Sequence, residues 1–186
     1  MRCRTPGSAS AARKRKRMPS AGERRLFFGT ALGVLLLDAL TKLVAEAYLL
    51  RTTGIPILGE WFQLSLVYNP GAAFGLHLGV YSRWIFLALA LGAVVLLTRM
   101  SATAETGDRL RQIALGLVAG GAAGNLVDRI RSPRGVVDFL DFGIGSLRWP
   151  TFNVADIAVT CGAVALAISL WMEDNRQARH EAASAG

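Results

Sequence analysis

A chain of 186 residues is long enough for one domain, but 52% hydrophobic and only 18% charged residues set it apart from soluble proteins, in which about a quarter of residues carry charge. The formal charge of +8 does not point to nucleic acid, because nine of the 21 basic residues crowd into the first 25 positions without a folded, aromatic-bearing platform beside them. The two cysteines, Cys3 in that basic stretch and Cys161 in an apolar run, belong to different environments, which argues against a disulfide or a metal site built on them.

Residues 1–24 read as a basic, disordered tail. The apolar segment that follows, about 26–48, exceeds the roughly 7–15 apolar residues of a cleaved leader and is read as a retained membrane span. It carries Asp38 and Lys42, four apart and therefore on one helix face. A charge inside a span costs about 2.5–3.5 kcal/mol on insertion scales. An internal ion pair that offsets this cost is the ordinary explanation, and a part in chemistry is the other. From Arg51 to Gly75 the chain is rich in Gly, Thr and β-formers, and Leu64, Leu66 and Tyr68 alternate with Gln63, Ser65 and Val67. That is the period of a strand with one wet face, so a small sheet over 57–68 is expected on the outer membrane surface.

Further spans are predicted at about 81–100, 110–130 and 152–172, each close to the roughly 20 residues a bilayer requires. The third ends in Gly-Gly-Ala-Ala-Gly-Asn-Leu-Val-Asp-Arg, residues 120–129. Its small residues permit close helix approach, and Asn125 and Asp128 share a face, with Arg129 placed to hold Asp128 ionised. Next comes an outer loop, Val-Val-Asp-Phe-Leu-Asp-Phe at 136–142, in which Asp138 and Asp141 face opposite ways if extended. Gly135 and Gly143 are expected to let this loop open and close. Trp-Pro-Thr-Phe-Asn-Val-Ala-Asp, residues 149–156, opens the fourth span. Pro150 suits a helix start, and Asn153 and Asp156 lie one turn apart. Residues 174–186 read as a polar tail, disordered after about Arg176.

Four spans place both termini on one side, and the basic N-terminus makes that side the cytoplasm. Arg129, Arg131, Arg134 and Arg148 then fall outside, against the usual bias. Under this topology Asp38, Lys42, Asn69, Asn125, Asp128, Arg129, Asp138, Asn153 and Asp156 all converge near the outer leaflet. Two carboxylates flanking a water hydrolyse an amide when one takes the water's proton and the other, protonated, polarises the carbonyl. Their closeness splits the two apparent pKa values. Asp138 and Asp156 are the best such pair. A zinc site lacks ligands, since the only histidines are His77 and His180. No serine stands beside Lys42 for a dyad, and no phosphate-binding Gly loop occurs. A proton-coupled transporter is the rival, although four spans without paired discontinuous halves speak against it.

Asp-Ala-Leu-Thr-Lys (38–42), Asn-Pro-Gly-Ala-Ala-Phe-Gly (69–75), Gly-Asn-Leu-Val-Asp-Arg (124–129), Val-Val-Asp-Phe (136–139) and Phe-Asn-Val-Ala-Asp (152–156) resemble, in order and spacing, the signature boxes of the bacterial lipoprotein signal peptidases. The resemblance covers about 25–173, which it makes a four-span peptidase domain, with Trp149 standing where the family more often has Phe. It implies an all-α membrane protein of four transmembrane helices with a small extracytoplasmic sheet, in the bacterial cytoplasmic membrane. The implied activity is removal of signal peptides from prolipoproteins, just before a diacylglyceryl-modified cysteine, by a metal-independent and cofactor-free aspartyl mechanism. By the same match Asp138 and Asp156 would be catalytic. Asn69, Gly71, Asn125, Arg129 and Asn153 would orient substrate or acids, with Asp38, Lys42 and Asp128 in support. Expected partners are the lipidated substrates and membrane lipid around a monomer, and sensitivity to the cyclic peptide globomycin is implied.

Overall fold

The computed structural model describes residues 18–71, 79–104 and 107–185. Most of the basic tail with Cys3, the Ala72–Gly75 part of the Asn69 motif, and His77 lie outside them. The elements run α1 (Ala21–Tyr48), β1 (Ile55–Leu58), β2 (Phe62–Asn69), a short 3₁₀ turn (Gly79–Tyr81), α2 (Ser82–Thr103), α3 (Arg109–Arg131), β3 (Val136–Ile144), β4 (Leu147–Arg148) and α4 (Val154–Ala185). All four α-helices are long and apolar enough to cross a membrane.

The helix starts are set by local chemistry. α1 begins at Ala21 rather than near Leu26, because Ser20 and Glu23 form a capping box. The Ser20 hydroxyl accepts from Glu23 N at 3.3 Å and the Glu23 carboxylate from Ser20 N at 2.6 Å. Ser-x-x-Glu is a sequence-level helix start, so residues 21–24 of the expected disordered tail are helical. The C-terminal tail differs as well. α4 continues to Ala185, since Ala, Glu, Arg and Gln are strong helix formers and extending an existing helix needs no new nucleus.

α3 lies at the centre and packs against α1, α2 and α4. Its glycines are the reason. A Cβ at Gly116 or Gly120 would meet Thr30, Val34 or the backbone of α1, and one at Gly121 would meet Ala155 and Val159 of α4. The small side chains let backbones approach where apolar burial supplies no drive between helices in lipid. Outward-facing leucines such as Leu32, Leu36 and Leu40 are more than half exposed, while Asp38, Lys42, Gln112 and Asn153 are 0–2% exposed. Polar inside and apolar outside is the burial pattern of a bilayer protein.

Between the helices the chain builds one antiparallel sheet in the order β1-β2-β3-β4. The strand expected over 57–68 is present as the β1–β2 hairpin. The segment read as an opening loop is β3, an inner strand paired along β2 from Phe62↔Phe142 to Asn69↔Val136. Lone β2 would leave a row of unpaired backbone groups, and the Val-Val-Asp-Phe-Leu-Asp-Phe run satisfies them. Asp138 is therefore held in a sheet, with Gly135 just before the strand and Gly143 within it, paired to Arg148 of β4, rather than hinging a flap.

Candidate active site

Lys42, in the C-terminal half of α1, is the hub. Its Nζ lies 2.8 Å from Asp38 Oδ2, 2.8 Å from Asp128 Oδ2 and 2.9 Å from Asn125 Oδ1. Asp38 also reaches across to α4, where its Oδ1 accepts from Ala155 N at 2.9 Å. A carboxylate from one helix thus caps the positive end of another. The i, i+4 pair expected from sequence forms, and it is one edge of a three-helix lock. Asp128 differs from expectation. Its partners are Lys42, Arg131 at 3.7 Å and the Val137 amide at 3.2 Å, and no pairing with the adjacent Arg129 occurs. Successive helical residues point to different faces, so Arg129 turns instead to Asn125 O and Gly71 O, both at 3.0 Å.

α4 opens with a reciprocal cap. Asp156 N donates to Asn153 Oδ1 at 3.0 Å, and Asn153 N donates to Asp156 Oδ2 at 3.1 Å. The other oxygen of Asp156 accepts from Asn125 Nδ2 at 2.9 Å. Lys42 holds Asn125 Oδ1, which turns the amide's donor toward Asp156.

Asp138 projects from β3 into the same space and is 2% exposed. Its Oδ1 accepts from Asn153 Nδ2 at 2.7 Å and its Oδ2 from Asn69 Nδ2 at 3.1 Å. Asn69 is in turn oriented by the Gly71 amide, 3.0 Å from its Oδ1. Burial and the neighbouring Asp156 charge push Asp138 up to about 7, against the two asparagine donors, which favour the ionised form. Asp141 faces the other way, toward Gln63, Ser65 and Arg148, and braces the sheet.

All of the sequence-predicted site residues therefore belong to one connected network. Asp138, Asp156, Asn69, Asn125 and Arg129 line a cleft of about 690 Å³ together with apolar side chains, among them Trp149, Phe152 and Ile157. Thr160 and Cys161 extend the lining along α4. They were not foreseen as site residues, although their positions four and five beyond Asp156 put them on the neighbouring helix surface. Among the described residues no group of three or more His, Cys, Asp and Glu is arranged to hold a metal ion.

Four apolar helices beside two hydrogen-bonded acids, Asp138 buried and Asp156 half-buried, that line a half-apolar cleft define a multi-pass membrane enzyme. The family follows from comparison with known proteins: the signal peptidase II profile matches residues 30–172, and the chain belongs to that family of peptidases. A lipoprotein signal peptidase of Cupriavidus taiwanensis is 41% identical over 170 residues, covering 88% of this chain and 93% of that protein. One from Burkholderia pseudomallei is 40% identical over 149 residues, covering 79% and 88%. A solved bacterial membrane enzyme determined in meso at 2.3 Å has the same fold, with a TM-score of 0.74 over 87% of this chain and 94% of its own, at 24% identity. A second, at 1.9 Å, gives a TM-score of 0.70 over 83% and 96% at 25% identity.

Proposed function

We propose that this chain is an aspartic endopeptidase that removes signal peptides from diacylglyceryl-modified prolipoproteins, cutting just before the lipidated cysteine, with Asp138 and Asp156 as its catalytic acids. The observation that carries the reading is Asn153, whose amide holds Asp138 while its backbone and carbonyl oxygen cap Asp156. One residue thereby fixes both acids relative to each other.

The raised affinity of Asp138 for its proton suits it to donate a hydrogen bond to the scissile carbonyl. Asp156, on the first turn of α4, then takes the proton of the attacking water as the carboxylate. Water oxygen bonds to the carbonyl carbon, and the oxyanion is stabilised by the Asp138 proton. The proton held by Asp156 passes to the leaving amine as the C–N bond breaks. The apolar cleft lining receives the substrate's hydrocarbon, and Arg129 and Asn125 hold the polar side in place. Lys42, Asp38 and Asp128 act through Asn125 and the α4 cap as positioning residues. In this reading both termini are cytoplasmic and the acids stand at the outer leaflet. The family and the fold lend nothing to a transporter.

The test uses purified protein in detergent with a diacylglyceryl-modified prolipoprotein, an unmodified precursor, EDTA, and the Asp138→Asn and Asp156→Asn variants. Lipid-dependent, EDTA-resistant cleavage that both variants lose is the expected result. Normal cleavage by either variant would remove that aspartate from the mechanism.

A further inference from the structure

The arginines at this end of the bundle, Arg51, Arg83, Arg129, Arg131, Arg134 and Arg148, are not equivalent. Arg129 is buried on Asn125 and Gly71. Arg83 closes the end of α3 by donating to Arg129 O at 2.7 Å and Ile130 O at 3.2 Å. Arg148 is bound to Asp141 and to Glu60 O. Three others remain, and they converge. Arg134 lies 3.9 Å and Arg51 5.0 Å above the ring of Tyr68, measured from guanidinium carbon to centroid. Arg131 is 2.6 Å and Arg134 3.6 Å from the carboxylate of Glu46, which also accepts from the Tyr68 hydroxyl at 2.9 Å. Arg131 and Arg134 thus share Glu46, and Arg51 joins them only through the Tyr68 ring. Arg131 also reaches Asp128 at 3.7 Å, but Lys42 already holds that carboxylate at 2.8 Å. Arg51 has no carboxylate partner among the described residues.

Their depth is set by the helices. Arg131 is the last residue of α3, and Arg51 and Arg134 each follow a span by three residues. Directly beside them stand exposed apolar side chains: Tyr48 78%, Leu50 68% and Ile130 61%. Such residues require hydrocarbon, so the adjacent guanidiniums, with Arg131 42% and Arg134 54% exposed, lie at the headgroup level. Phosphate is the anion found at that depth, and the guanidinium fork matches its oxygens.

We propose that Arg51, Arg131 and Arg134, clustered around Tyr68 and Glu46, form a binding site for the phosphate of an anionic phospholipid headgroup. Tyr68 also lines the cleft and adjoins Asn69, so the bound lipid packs beside the catalytic entrance. The site does not depend on the cleavage chemistry, and its test reads lipid rather than product.

Protein purified in detergent is offered phosphatidylglycerol and phosphatidylcholine of equal chain length, and retained lipid is counted by native mass spectrometry. The wild type is expected to retain phosphatidylglycerol selectively. The double variant Arg51→Gln/Arg134→Gln should lose that preference by roughly fivefold for each arginine removed. The single variant Arg51→Gln, which breaks no ion pair, should lose about half of it on a logarithmic scale. Arg99→Gln, an exposed arginine near the opposite end of α2, should bind as the wild type does. Equal retention of the two lipids by the wild type overturns the site. So does wild-type binding by the double variant, or an equal loss in Arg99→Gln.

Discussion

At the scale of single residues, the site is a chain of amides and acids in which each donor is aimed by the next. In the proposed mechanism, removing either carboxylate takes away one half of the proton traffic, and general acid–base catalysis contributes about 10²–10⁴-fold. Asp138→Asn and Asp156→Asn should each lose at least that much in kcat, measured at saturating prolipoprotein. The raised pKa of Asp138 fixes a sign for pH. Above about 7 the Asp138 proton that the proposed mechanism uses to polarise the carbonyl is gone, so kcat should fall as pH rises through that value. The same group bears on stability. Its folded pKa lies above the unfolded one, so native protein binds the extra proton between about 4 and 7, and stability is lost as pH rises across that window. A separation of this size corresponds to roughly 4 kcal/mol, and the slope should vanish in Asp138→Asn when thermal unfolding is followed against pH. Lys42 answers two carboxylates and an amide. Lys42→Met should destabilise by about 3–5 kcal/mol, because Asp38 and Asp128 are left as uncompensated buried charge.

At the scale of elements, the sheet and the α4 cap make the acids meet. Gly135 turns the chain from α3 into β3 with φ of +102°, and a Cβ there would run into the backbone of Asn69 and Pro70. Gly135→Ala should therefore cost about 1–3 kcal/mol in strain. Because the displaced backbone is that of Asn69, which holds Asp138, kcat should drop by more than Tm alone accounts for. An unchanged kcat in a folded Gly135→Ala protein would show that Asn69 is dispensable. Gly124 is the counterpart on α3. A Cβ there would press on the Asp38 carboxylate and approach Ala155. Overpacking of this kind costs about 1–3 kcal/mol, and Gly124→Ala should loosen α4 from α1.

At the scale of the whole molecule, four spans and one sheet place the polar network at one end of the bundle, and the β1–β2 turn at Gly59 on the same side as the acids. A reporter that fluoresces only in the cytoplasm should glow when fused to either terminus and stay dark when inserted after Gly59. The opposite pattern would invert the orientation and move the acids to the inner leaflet. Much of this was legible in the residues themselves. Apolar runs of bilayer length can do little but span, and a charge within one needs a partner, so the four helices and the convergence of Asp38, Lys42, Asn125, Asp138 and Asp156 followed from composition and spacing. The helix ends were less legible, because the capping box at Ser20 and Glu23 is a local signal that hydropathy does not register. The sequence could not disclose that 136–144 is a strand, since pairing depends on a partner some 70 positions earlier in the chain. Nor could it show that Arg129 passes over its neighbour Asp128, or that Asp38 caps α4 from another helix. Those choices belong to the tertiary structure, because an unpaired polar group away from water costs more than any local preference repays, and only the folded bundle determines which partner lies within reach.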